Sequence, residues 1–147
     1  MAYEFTVSGR ISKPVHEVFE AVADPAKLSG YFTTGGAQGR LETGATVTWD
    51  FHDFPGAFPV EVVEVKNDRR IVLRWDADDG DKTTVTMNFE PLDDNTRTLV
   101  SITEEGWKET EAGLKSSYGN CEGWTGMLAA MKIYLEHGIN LREGFYK

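Results

Sequence analysis

The sequence predicts an α+β fold: a curved antiparallel sheet of about six strands wrapped around one long C-terminal helix, with two short helices after the first strand. Three observations carry this reading. From Tyr118 to Gly138, the residues Trp124, Met127, Leu128, Met131, Tyr134 and Leu135 recur at steps of three and four, the period of a helix with one apolar face. From Val47 to Trp107, consecutive segments alternate apolar and polar residues and are separated by short turn signals. No helical pattern falls between those segments, so they form a meander with one apolar face. The final helix is the element of the right size to cover it.

Taken in order, Tyr3 to Ile11 reads as a first strand with Phe5 and Val7 on one face. Ser12 is placed to cap the helix that follows, and Pro14 suits a first helical turn. Val15, Val18, Phe19 and Val22 then make an apolar face at helical spacing. Asp24-Pro25 interrupts this helix, and Ala26 to Phe32 forms a second short helix or turn. Thr33 to Gly44 carries Gly35, Gly36, Gly39 and Gly44 and reads as loop.

The five later strands follow. Val47, Trp49 and Phe51 share a face; a turn at Pro55-Gly56 leads into Pro59 to Lys66; Asn67-Asp68 turns the chain into Ile71, Leu73 and Trp75. Asp79-Gly80 is a hairpin signal, followed by Val85, Met87 and Phe89 on one face. Asp93-Asp94-Asn95 turns into the last strand, with Val100 and Ile102 inward. Lys108 to Ser117 has room for a short helix before the long one, which at roughly 17 to 20 residues would span about 25 to 30 Å. Gly138 is its stop.

The chain has 147 residues, 40% hydrophobic and 12% aromatic, which suits one folded domain over residues 1–147. A formal net charge of −9 repels phosphate backbones and argues against nucleic acid as a partner. No apolar run approaches a membrane span, so no membrane partner is expected. The single cysteine, Cys121, excludes an internal disulfide framework, and a cytoplasmic protein is expected.

The stretch Ser12 to Phe32, then Val47 to Phe51 before Pro55-Gly56, resembles the START-like (SRPBCC) superfamily. More narrowly, Arg70 to Trp75, Thr84 to Pro91, Asn95 to Leu99, Gly123-Trp124, Met127-Leu128 and Tyr134 to Glu136 with Gly138 resemble the activator of heat-shock protein 90 ATPase homologue family. The resemblance covers nearly the whole chain and implies a helix-grip fold. It departs at Tyr31, where relatives usually carry tryptophan. The eukaryotic co-chaperone also has a separate N-terminal domain, and no counterpart of it is expected in these 147 residues.

Catalytic signatures are sparse. There is no P-loop, dinucleotide fingerprint, cysteine pair or His-x-x-x-His motif. His16, His52 and His137 lie on unlike elements, so surface or capping roles are expected and no metal or cofactor is predicted. Cys121, near the long helix's start, reads as a partly buried, inert thiol with no histidine nearby in sequence. Arg74 and Asp50 fall on the outer face, where an ion pair would contribute little.

Glu104 and Glu105 are more informative. The two-residue period aims Glu104 inward, where a carboxylate needs partners and could orient a ligand or act as acid or base. The simpler expectation is that the strand ends at Thr103 and both glutamates are solvated.

The strongest functional hint is the set Trp49, Phe51, Trp75, Met87, Phe89, Trp107 and Trp124, which converges between sheet and helix with Tyr31 and Phe32 near one opening. Trp124, Leu128 and Met131 are the helix's inward residues. These rings could simply fill the core. The superfamily resemblance adds the alternative of a hollow for an apolar or amphipathic molecule. An empty apolar void of 300 Å³ would cost roughly 7 kcal/mol at ~24 cal/mol per Å³, comparable with a domain's whole stability. A small cavity or partly closed groove is therefore expected.

Three functions compete: a non-catalytic binder of a hydrophobic small molecule, a chaperone-associated interaction protein, and a cyclase- or dehydratase-like enzyme using Glu104 or His52. Monomer and homodimer are both compatible with the sequence.

Overall fold

The computed structural model describes residues 2–77 and 80–146. Its strands are β1 (Glu4–Ile11), β2 (Gly36–Gln38), β3 (Thr46–Phe51), β4 (Phe54–Lys66), β5 (Arg70–Asp76), β6 (Lys82–Leu92) and β7 (Arg97–Glu105). The helices are α1 (Val15–Ala23), α2 (Pro25–Leu28) and α3 (Glu111–His137). The strands form one antiparallel sheet in the order β1-β7-β6-β5-β4-β3-β2. α1 and α2 bridge from β1 to β2, and α3 lies across the concave face. This is the helix-grip arrangement, with seven strands where about six were expected.

The extra strand is the three-residue β2, within the stretch expected to be loop. Gly35 donates its N–H to the Asp50 carbonyl at 3.0 Å, and Gly36 pairs with Asp50 across to β3. A side chain at Gly35 would collide with Asp50, so the glycine permits this close pairing.

The turn after β3 also differs from expectation. It falls at His52-Asp53, and the Pro55-Gly56 pair lies inside β4. Phe51 pairs with Phe54 across the two-residue turn, and a register shift then brings Phe58 opposite Trp49. The Asp79-Gly80 hairpin signal lies partly outside the described residues.

Ser12 does not cap α1. The N-cap is Pro14, which offers no side-chain acceptor, and Asn95 from the β6–β7 turn accepts from the Val15 N–H at 2.8 Å. A long-range partner thus satisfies an orphan donor that a local serine could have taken. Asp24 caps α2 by accepting from Ala26 N–H at 2.9 Å.

No short helix precedes the long one. A single α3 of 27 residues begins after Thr110, whose hydroxyl accepts from Gly113 N–H at 3.1 Å. At 1.5 Å per residue it runs about 40 Å. Gly138, with φ 70°, closes it in the left-handed conformation by donating to Tyr134 O at 2.8 Å.

The core runs under the middle of α3. Val18, Phe19 and Val22 of α1, Met87 and Phe89 of β6, Val100 and Ile102 of β7, and Met127, Leu128 and Met131 of α3 are all buried there. Phe19 meets Phe89 edge-on at 5.6 Å.

Candidate functional site

The alternation along β7 does not stop at Thr103. Thr98, Val100, Ile102 and Glu104 are all buried, and Glu105 is exposed. Glu104 therefore points into the protein with 0% of its surface accessible, which overturns the expectation that it is solvated. The chain then turns through Gly106 at φ 111°, close enough to β6 that a Cβ there would lie 3.1 Å from the Lys82 carbonyl.

A buried carboxylate is tolerated only where its oxygens are satisfied. Oε2 accepts from Trp75 Nε1 at 2.9 Å, Thr83 Oγ1 at 2.5 Å and Asn120 Nδ2 at 3.0 Å. Oε1 accepts from Trp124 Nε1 at 2.8 Å and Asn120 Nδ2 at 3.1 Å. Every partner is a neutral donor, matching the acceptor-only chemistry of a carboxylate. Thr83 sits opposite Trp75 in the β5–β6 pairing, while Asn120 and Trp124 are one helical turn apart on α3. Glu104 is thus a clamp that fixes two indoles and ties α3 to three strands.

Those indoles begin a circuit of rings. Trp124 meets Trp75 at 5.4 Å, Trp75 meets Phe58 at 5.7 Å, and Phe58 stacks on Phe51 at 5.8 Å. Phe51 meets Phe32 at 5.0 Å, and Phe32 returns to Trp124 at 5.5 Å. Trp49 lies edge-on to Phe32 and Trp75 at 5.6 and 5.8 Å. The five rings of the circuit all line a cleft of about 400 Å³ between the sheet and the first half of α3. Asp76 and Gly119 are exposed at its rim.

The helix supplies the room. Gly119 and Gly123 face the cleft, and a Cβ on either would meet nothing within 4 Å. Glycine inside a helix costs about 1 kcal/mol relative to alanine, so these positions sacrifice stability where space is left open.

After Gly138 the chain turns back, and Arg142 reaches the cleft. Its guanidinium lies 4.9 Å from the Phe51 ring, 5.7 Å from Phe32 and 4.8 Å from Tyr146. Nη2 pairs with Asp53 at 3.2 Å, the two side chains being 10% and 4% exposed. Arg142 Nε is buried without a hydrogen-bond partner among the described residues.

Of the residues singled out in the sequence, Phe32, Phe51, Trp75 and Trp124 line the cleft. Glu104 sits behind Trp75 and Trp124, and Trp49 supports the circuit. Met87, Phe89, Leu128 and Met131 belong to the packed core. Tyr31 is buried against Tyr134 at 5.4 Å and donates to Ala21 O at 3.0 Å; burial pushes its hydroxyl well above its usual pKa. Trp107 stacks on Phe5 at 5.6 Å and donates to Ser116 Oγ at 3.1 Å.

Phe58, Asn120, Gly119 and Arg142 carry no site signal in the sequence, and Gly123 enters there only through the family resemblance. Two placements follow once the elements are known: Phe58 falls across from Trp49 once the strand is started early enough, and Asn120 precedes Trp124 by one turn.

The remaining polar candidates lie elsewhere. His52 is exposed in the β3–β4 turn, His16 is exposed beside Asp68 at 2.9 Å, and His137 ends α3. Cys121 is free and half-buried, in a separate depression with Tyr118 and Phe145. Asp50 accepts from Gly56 N–H at 3.2 Å and forms no pair with the exposed Arg74. Among the described residues, no group of histidine, cysteine and carboxylate side chains is arranged to hold a metal, and no helix is long and apolar enough to cross a membrane.

A seven-stranded helix-grip domain with an aromatic cleft under its C-terminal helix defines the class as START-like. Residues 12–136 match the family model described as Activator of Hsp90 ATPase homolog 1-like protein, and the chain belongs to that family. Its fold is similar to that of SSP2350 from Staphylococcus saprophyticus, 28% identical, with a TM-score of 0.80 over 95% of this chain and 96% of that one. DynU16, a protein of the dynemicin biosynthetic locus, is 26% identical with a TM-score of 0.77 over 92% of this chain and 48% of its own, so this chain spans about half its length. The Aha1 dimer from Colwellia psychrerythraea is 18% identical, with a TM-score of 0.76 over 92% of this chain and 98% of that one. Comparison with curated protein sequences returns no match.

Proposed function

We propose that this protein binds an apolar or amphipathic small molecule in the cleft beneath α3, without catalysing its conversion. The observation that carries the reading is the closed circuit of Phe32, Phe51, Phe58, Trp75 and Trp124 around space that two helix glycines leave open. A ligand pocket of about 300 to 1,000 Å³, mostly apolar with a few fixed polar groups, is the usual form of such sites. The cleft's 400 Å³ and its lining match that description. The non-catalytic part of the proposal is supported by Glu104, whose oxygens are already occupied by five hydrogen bonds.

Trp75 and Trp124 are built-in reporters. Titration with a library of aromatic and lipid-like compounds is expected to change tryptophan fluorescence and raise the melting temperature for a subset that shares a planar apolar body. A library that moves neither signal would contradict the proposal.

A chaperone-associated role is the second reading. It is favoured by the family description and by the Aha1 dimer among the similar folds. Pull-down from an extract containing the bacterial heat-shock protein 90 counterpart tests it, and absence of the chaperone from the bound fraction would count against it.

A further inference from the structure

We infer that the segment after α3 is a hinged side wall of the cleft, latched by Arg142 and Asp53, whose release joins the cleft to the space along the outer flank of α3. The inference rests on the cleft being a binding site and concerns how that site changes size.

Residues 139–146 form a strap that doubles back along α3. Leu141, Phe145 and Tyr146 face Gly126, Ala129 and Ala130 of the helix across a cavity of about 80 Å³. Phe145 and Tyr146 also border the depression that holds Tyr118 and Cys121. Arg142 is the residue shared by the linings of the cleft and of the strap cavity, so its side chain is the partition between them. Asn140 Oδ1 accepts from the Arg142 and Glu143 N–H groups at 3.1 and 3.3 Å, which makes the strap's turn a unit.

That unit is held by few contacts. Small helix residues and a void lie beneath it, so it does not interlock with α3 as a packed core does. Gly138 and Gly144, both at φ 70°, bracket it with backbone that favours a residue without Cβ. Its firm attachments are Leu141, packed on the core, and the Arg142–Asp53 pair at 3.2 Å, which crosses to the β3–β4 turn. Even this latch is incomplete, because Arg142 Nε is buried without a hydrogen-bond partner among the described residues. No cleft ligand reaches an enclosed donor, but water does once the strap swings out. The closed wall thus carries a desolvation cost that opening relieves, and the attraction of Asp53 offsets it. Two arrangements of one unit, balanced in this way, make a switchable wall.

Asp53→Asn in the whole chain leaves the guanidinium buried without its counter-charge, a cost that a chain end escapes by swinging into water. Cys121, the single thiol, reports the swing through its rate of labelling by a maleimide. Labelling is expected to accelerate about ten-fold, and adding Arg142→Met, which removes the stranded charge, should restore the slow rate. The rod-shaped probe 1,6-diphenylhexatriene should bind Asp53→Asn about ten-fold more tightly than the wild type, because only the open fraction accepts it. Naphthalene, a two-ring probe, should bind both alike. Gly126→Leu places a Cβ 2.5 Å from the Tyr146 hydroxyl and should displace the strap in the same direction without touching the ion pair. Unchanged labelling in both variants, a fast rate that survives Arg142→Met, no gain for diphenylhexatriene, or an equal gain for naphthalene would each overturn the inference and leave the cleft as a binding site. Faster labelling matched by faster hydrogen exchange at the Met127 to Met131 amides would overturn it too, since the whole domain would then be loosening. If neither probe binds any of these proteins, the cleft reading fails and this inference falls with it.

Discussion

The two halves of α3 face the same sheet and do opposite things with it. Around Met127, Leu128 and Met131 the helix buries flexible apolar side chains in the core cluster that α1, β6 and β7 also enter. Around Gly119, Asn120, Gly123 and Trp124 it presents two glycines, an amide and one large ring to a wall of rigid aromatics. The Met127 to Met131 half has only exposed polar ties, Lys132 Nζ to the Arg10 carbonyl at 3.0 Å and the Ser12 N–H to Glu136 at 2.9 Å, and needs no buried clamp, because methionine and leucine adapt to fill irregular gaps. The other half cannot close by packing, because glycines give nothing to fill with and rings cannot flow into the space. It is held instead by Glu104, whose hydrogen bonds fix both walls at once. The lesson is that a cleft can be kept open by pairing small residues on one wall with stiff ones on the other, provided a polar anchor prevents collapse.

Breaking the anchor should produce the largest effect. Glu104→Ala strands two indole N–H groups, a hydroxyl and an amide in the interior. A loss of about 4 kcal/mol is expected in urea unfolding, the scale of a buried polar network losing its hub. A loss below about 1 kcal/mol would mean the donors re-pair easily and the clamp is dispensable. The next contrast sets the two halves directly against each other. Met131→Ala in the closed half should cost about 3 kcal/mol with ligand affinity unchanged, whereas Phe58→Ala, half-exposed at the cleft, should cost about 1 kcal/mol and weaken binding of naphthalene. Similar stability losses with no difference in binding would erase the distinction.

Smaller effects sharpen it. Gly123→Ala meets open space and should stabilise the protein by up to about 1 kcal/mol in thermal unfolding. At Gly126 the same change would meet the Tyr146 hydroxyl at 2.5 Å, so the gain should be reduced or reversed. The smallest effect concerns the closed end. Burial alone would raise the Glu136 pKa, but Lys132 Nζ at 2.6 Å and the Ser12 N–H at 2.9 Å outweigh it and hold the carboxyl below its ordinary 4.5. A depressed folded-state pKa stabilises above the unfolded value and is lost as the pH falls through the folded one. Glu136→Gln should therefore cost about 0.5 kcal/mol at pH 7, a helix-pair magnitude. That difference should shrink toward zero as the pH is lowered from about 4.5, measured by urea melts of both proteins across the range.

The strands were legible because side-chain alternation is a local property, and β6 and β7 follow it closely. β4 was misread at its start because a Pro-Gly pair ordinarily marks a turn, while here Gly56 at φ 127° is accommodated inside the strand and the turn falls at His52-Asp53. That error hid Phe58. The first turns of α3 were obscured because Glu111 to Gly119 carries little apolar periodicity, although Thr110 capped them. Glu104 shows the limit most clearly. Its inward phase was readable, but its partners come from β5, β6 and α3, and only the assembled fold brings those donors to one carboxylate. Arg142 lies beyond the helix stop, and its return to the cleft is a matter of tertiary packing that no local pattern announces.

The central claim is that the open half of the α3 interface is a ligand site and the closed half is not. The most direct measurement is a two-dimensional amide and indole spectrum of the chain titrated with 2-acetylnaphthalene. Saturable shifts are predicted at the Trp75 and Trp124 indoles and the Gly119 and Gly123 amides, with Met127 to Met131 comparatively unmoved. Shifts confined to the depression around Tyr118 and Phe145, or no saturable shift at the four cleft reporters, would contradict the account.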